Sequence, residues 1–105
     1  MGNVFADAIE AIFADPNLAV DAVYRAGGAG DGIALRAVVT RPDRVGDWGE
    51  SRIAAATCVV KVRVADVAAP APADTVTIAG ETLVVLATPL RRAARLIWEM
   101  EARPQ

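Results

Sequence analysis

Histidine is absent from this chain of 105 residues, cysteine occurs once, and aromatic side chains make up 5% of it. Each scarcity removes a class of chemistry. Without imidazole, a hydroxyl such as Ser51 has no obvious general base and a transition metal loses a common ligand, so no enzyme activity, metal or cofactor is expected. The lone Cys58 cannot close an internal disulfide, and a reducing, cytosolic setting fits. No run of eighteen apolar residues is present to cross a membrane. Asp7, Glu10 and Asp15 break the segment in which a secretion signal would need an uninterrupted apolar stretch. Excess positive charge is missing too: 11 basic against 13 acidic residues give a net charge of −2, which argues against specific nucleic-acid binding.

What is present is one domain's worth of chain, expected to form a single unit over 1–105. It is 54% hydrophobic, but 23 of those residues are alanine, so the core should be modest and the stability marginal, with partners able to add to it. Over residues 1–15 the pattern is helical. Phe5, Ile9, Ile12 and Phe13 share one face, Asn3 is a candidate N-cap, Asp7 suits the positive end of the helix dipole, and Asp15-Pro16 stops the helix at Ala14. Residues 17–105 read instead as a β unit.

There the apolar period changes to two. Leu18, Val20, Ala22 and Tyr24 alternate with polar or smaller residues, as do Ile33, Leu35, Ala37 and Val39, then Cys58, Val60, Val62 and Val64. The glycine-rich stretch 27–32 predicts a hairpin connection longer than two residues, and 41–56 a long irregular loop. Ala68 to Ala73, alternating with Pro70 and Pro72, predicts a stiff extended link over the surface. Thr75–Ala79 and Thr82–Thr88 flank Gly80-Glu81 as a tight hairpin whose second strand looks buried on both faces. The last segment is contested. Arg91 to Leu96 are good helix formers, but Leu96, Trp98, Met100 and Ala102 alternate with mainly charged residues, which predicts a strand over Ala94–Arg103 after a turn at Pro89–Ala93. One helix and about six short strands imply a mainly β protein, a small antiparallel barrel or sandwich.

Few motifs carry chemistry. The glycine cluster lacks the Lys-Ser/Thr pair of a phosphate loop, since Ile33 and Ala34 follow Gly32, and a flexible hairpin tip explains it better. Cys58 lies in line with valines and reads as core. Asp66 and Asp74, flanking the proline link, read as strand-end and turn residues rather than a cation site. Trp48, in a polar loop where no alternation buries it, either plugs the barrel end or anchors an interface. The helix face Phe5, Ile9, Phe13 either covers one end of the barrel or reaches a neighbouring subunit. Arg91, Arg92 and Arg95 either form a solvated edge that discourages aggregation or meet an acidic partner.

Taken in order, these pieces resemble a known family. They are the Phe5-Ala6 helix, Leu18 to Arg25 entering a glycine-rich turn, Leu35-Arg36-Ala37-Val38, and Gly49-Glu50-Ser51-Arg52 before a valine-rich strand. Asp74 to Leu83 and Leu96-Ile97-Trp98 before the closing Arg103-Pro104 complete the series. The chain is similar to the small head-tail joining (head completion or stopper) proteins of long-tailed bacteriophages and their gene transfer agent relatives. Members usually carry glycine beside the Asp-Thr run, where this chain has Ala73. The resemblance implies a small β-barrel or sandwich and a structural role in the virion, assembled in the host bacterial cytoplasm. Copies would form a ring below the portal and its adaptor, close the filled head and dock the tail terminator or tail tube. It implies no catalysis, cofactor or membrane contact. Candidate interface residues are Phe5, Ile9, Phe13, Trp48, Arg91 and Arg92. Two other readings share these features: a tail terminator or other tail-end component, and a small cytosolic β-barrel that binds a ligand, for which the sequence shows no cluster of convergent polar groups.

Overall fold

The N-terminal apolar repeat folds into helix α1, Val4–Ala14, and Asp15 closes it. The Asp15 carbonyl accepts from the N–H groups of Leu18 and Ala19 at 3.0 and 2.9 Å, and its carboxylate accepts from Asn17 N–H at 2.8 Å. A computed structural model describes residues 4–41, 57–93 and 95–105. The expected N-cap Asn3, Trp48 and the loop 42–56 lie outside the described residues.

The alternating segments become β1 (Val20–Arg25), β2 (Ile33–Thr40), β3 (Cys58–Arg63), β4 (Thr75–Ile78), β5 (Glu81–Val85), β6 (Leu90–Arg92) and β7 (Ile97–Pro104). Their order is β3-β2-β1-β4-β5-β7, and β7 pairs back on β3, which closes an antiparallel barrel of six strands with β6 as an extra strand on β7. Closure removes the open edges that a flat sheet of this size would expose. The expected mainly β architecture with one N-terminal helix is therefore present, as a barrel rather than a sandwich.

Alternation decides the inside of the barrel. Ala22 and Tyr24 of β1, Leu35 and Ala37 of β2, Cys58, Val60 and Val62 of β3, Val76 of β4, Leu83 and Val85 of β5, and Met100 and Ala102 of β7 form one buried cluster. Each larger aliphatic among them contributes about 1.5–3 kcal/mol on burial. The residues between them, such as Arg36, Lys61, Arg63, Ile97 and Glu99, point to the outer wall, where α1 lies.

Several boundaries differ from the sequence reading. The first strand begins at Val20, because Leu18 and Ala19 are held in the turn that follows α1. The hairpin between β4 and β5 turns at Ala79-Gly80, one residue earlier than expected, with φ of 52° and 83°. Positive φ at both turn residues matches the twist of the two strands. Leu83 and Val85 are buried while Thr82 and Val84 are only half-buried, so β5 has one core face, not two. The proline link is not extended. Asp74 N–H bonds back to the Ala71 carbonyl at 3.2 Å, Ala71 N–H donates to the Asp74 carboxylate at 2.9 Å and Ala73 adopts a φ of 78°, while just before the link Val67 enters the core at 5% exposure. A left-handed residue at 73 favours glycine on steric grounds.

The expected turn at Pro89–Ala93 contains β6, which continues β5 along the same edge of β7. Val85 stands opposite Ala102 and Leu90 opposite Glu99, so the four residues 86–89 face only two, 100–101. This enlarged bulge accommodates Pro89, which has no N–H to give to a ladder. The closing strand starts at Ile97, not Ala94, because Leu96 N–H bonds to the Arg92 and Ala93 carbonyls within a turn.

Candidate interface surfaces

Helix α1 lies on the outer wall of the barrel, and two of its expected interface residues face inward there. Ile9 and Phe13, one turn apart, are buried with Ile97, and Val38 and Leu96 pack around them. Phe5, near the other end of the helix, is 63% exposed, and Ile12 at 39% lies at the margin. The helix C-terminus is fixed by an arginine from the wall. Arg36 donates from Nε to the Phe13 carbonyl at 2.9 Å, from Nη2 to the Ala19 carbonyl at 3.0 Å and from Nη1 to Asp21 Oδ1 at 2.9 Å. A cation here both satisfies a terminal carbonyl and opposes the negative end of the helix dipole. Arg63 adds a guanidinium 5.9 Å from the Phe13 ring centroid while pairing with Asp66 at 2.9 Å. Between helix and wall runs an open groove of about 580 Å³, with Asp7 and Glu10 on its rim and Phe13, Arg36 and Arg63 along it.

A second surface surrounds the glycine-rich loop. Asp74, 5% exposed, gathers three donors: the Tyr24 hydroxyl, Gly27 N–H at 2.7 Å and Ala71 N–H at 2.9 Å. Its own backbone carbonyl accepts from Val85 N–H at 2.9 Å. The Asp74 carboxylate thus ties the loop after β1 and the turn before β4 to Tyr24 in the barrel interior, and its backbone carbonyl adds the end of β5. Burial, and then the hydrogen bond and charge of Asp74, push the Tyr24 phenol well above the usual tyrosine range. At the far end of the loop Gly32 has a φ of 81°, and a Cβ there would stand 2.6 Å from Val23 Cγ1, so only glycine fits. Asp66 and Asp74 are accordingly turn residues, as expected. No local pattern signals that Asp74 reaches Tyr24, fifty positions away. The available signal was weak: a carboxylate placed after two prolines and an apolar strand with a single tyrosine.

The third surface is the hairpin of β6 and β7, which brings Arg91 and Arg92 together on an exposed strand. Arg91 lies over the Trp98 ring, 4.9 Å from its centroid, and the Trp98 indole N–H donates to the Val67 carbonyl at 2.7 Å. Arg92 reaches Glu99 at 3.4 Å across the strands.

Cys58 is 1% exposed and burial raises its thiol pKa, which works against a thiolate. Among the described residues no group of three His, Cys, Asp or Glu side chains is placed to hold a metal, and no helix is long and apolar enough to cross a membrane.

What the molecule offers is a small closed barrel carrying a docked helix, a looped end and a basic hairpin. A family model described as Phage Head-Tail Attachment protein matches residues 1–102. The chain belongs to the phage head-tail attachment protein family. No curated protein and no solved structure matches it. Membership carries a role at the connection between phage head and tail, with other head and tail proteins as partners, and places the chain in a family of structural virion proteins. The bacteriophage, head-tail joining and β-barrel assignments made from the sequence thus stand.

Proposed function

We propose that this chain is the stopper subunit of a head-tail connector: copies form a ring below the portal and its adaptor, close the filled head and present a surface to the tail. The observation that carries this reading is the family match over residues 1–102. The fold supports it in kind. A ring requires one patch to meet a different patch on the next copy; the candidate patches are the glycine-rich loop, helix α1 and the basic hairpin, of which the last two adjoin where Leu96 and Ile97 pack on Ile9 and Phe13. The expected interface residues Phe5, Ile9, Phe13, Trp48, Arg91 and Arg92 belong to this proposal in different ways. Ile9 and Phe13 act through the helix they hold on the barrel, whereas Arg91 and Arg92 are exposed for direct contact. Assembly in the host bacterial cytoplasm and residence in the finished virion follow from the same reading.

Complementation tests it. DNA-filled heads lacking this protein, mixed with tails and the purified chain, should yield joined particles. A version lacking residues 1–14 should remain folded and fail to join them. Joining that proceeds equally well without the protein, or full activity of the truncated chain, would count against the proposal. A tail terminator would instead act on tails before heads are added, so pre-incubation with each component separates the two.

A further inference from the structure

Strand β6 offers an open edge. Among the described residues it pairs with β7 alone, so those of its backbone groups that alternate away from β7 have no ladder partner, while the Arg92 carbonyl accepts from Leu96 N–H at 3.1 Å. That edge is unusually basic for a chain of net charge −2. Arg91, Arg92 and, in the adjoining turn, Arg95 are all exposed. Among the described residues Arg91 and Arg95 make no ion pair, and Arg92 has only Glu99 at 3.4 Å, half in solvent. The Arg91 guanidinium is already oriented by stacking on Trp98, which is itself held by the Val67 carbonyl. Beside it Leu90 is 51% exposed, an apolar anchor on the same short strand.

We propose that the β6 edge is a docking site for an extended acidic segment of a partner protein, which adds to the sheet as a further strand. Backbone pairing would supply the ladder, Leu90 an apolar contact, and the arginines charge-assisted bonds to glutamate or aspartate side chains. A second copy of this chain is a poor occupant, since edge-to-edge pairing would set the arginines of two β6 strands against each other. A nucleic acid is poorer still, because it uses neither the open backbone groups nor Leu90 and meets a chain of net negative charge. Within the connector role proposed above, the partner is a head or tail protein with such a segment. The edge itself can be tested without that role.

The test is a titration of the isotope-labelled full chain, followed by nuclear magnetic resonance, with a blocked seven-residue peptide alternating valine and glutamate. Shifts should concentrate at residues 88–99. Binding should be at least about tenfold tighter than for the matching valine-glutamine peptide, and should weaken by at least about tenfold in the Arg91→Glu, Arg92→Glu double variant, the scale of one charge-assisted contact. Both substitutions are on exposed side chains, and a thermal melt verifies that the variant is folded; raised salt on the unaltered chain gives the same comparison without mutation. No shift at 88–99, equal affinity for the glutamate and glutamine peptides, or displacement of the peptide by a short DNA duplex would overturn the proposal. Peptide binding together with joining that does not need the protein would leave this edge assigned and the connector role refuted. Joining that needs the protein but is indifferent to the double variant, with no peptide binding, would do the reverse.

Discussion

Replacing Asp74 with alanine tests the polar hub on which the looped end of the barrel depends. The substitution leaves the Tyr24 hydroxyl, Gly27 N–H and Ala71 N–H without their acceptor. A buried donor left unpaired costs about 1–3 kcal/mol. The hydroxyl is buried and takes the upper part of that range, whereas the two backbone groups are part-buried and, reached by water, take the lower part. The total is roughly 3–5 kcal/mol, a large share of the ~5–15 kcal/mol that holds an ordinary domain together. For a domain of this size each 1 kcal/mol moves the melting temperature by about 4–8 °C, so Asp74→Ala should melt at least about 12 °C below the unaltered chain. Asp66→Ala is the control. It breaks an ion pair whose side chains are 28% and 21% exposed, and such a partly solvated pair is worth about 0–1 kcal/mol. Thermal melts by circular dichroism read both. If Asp74→Ala and Asp66→Ala melt within about 3 °C of each other, the carboxylate is not the hub described.

Further outcomes follow from the same structure. Stability should fall as pH rises through the ordinary thiol and phenol ranges, because there the unfolded chain releases the Cys58 and Tyr24 protons while the folded chain still holds them; Tyr24→Phe should remove the part of that slope above about pH 10 in denaturant titrations at stepped pH. Ala73→Gly should stabilise the protein by roughly 0.5–1 kcal/mol, since glycine tolerates the left-handed backbone at this position, and a lower melting temperature would speak against it. Leu83→Ala, at a position with 0% exposure, should cost about 2–5 kcal/mol through lost burial and the cavity left behind, as measured by urea unfolding. Cys58 should be inert to a thiol reagent in the native protein and react fully once unfolded, because it is buried and burial raises its pKa; rapid native labelling would show that the barrel opens at β3.

The legible parts of this fold were those in which one periodicity dominated. Cys58 to Arg63 alternate strictly, and the strand they predict has its buried and half-buried residues in that order. The closing strand was legible for the same reason, even though Arg91 to Leu96 favour helix: Trp98, Met100 and Ala102 pair across to Val62, Val60 and Cys58 on the barrel's inner side. Long-range partnership overrides local propensity here. Strand β6 was illegible because three exposed residues carry no alternation, and its pairing depends on a bulge opposite 100–101 that no local pattern records. The proline link misled for a different reason. Proline biases its neighbours toward extended backbone, but Asp74 accepts from Ala71 N–H and holds the segment in turns. Of the interface candidates, the exposure of Arg91 and Arg92 was readable from their charge but the strand that carries them was not, and Trp98, which orients Arg91, was placed only in the core pattern. The helix face was readable as apolar, and the sequence left open which partner would cover it; Ile9 and Phe13 pack on the protein's own outer wall.

Electron cryo-microscopy of the assembled particle is the most direct measurement of the central claim. The barrel should fit density at the junction of head and tail, repeated around the channel axis, with contacts to proteins on both sides. Density for it only along the tail tube, at the tail tip or nowhere in the particle would contradict the account.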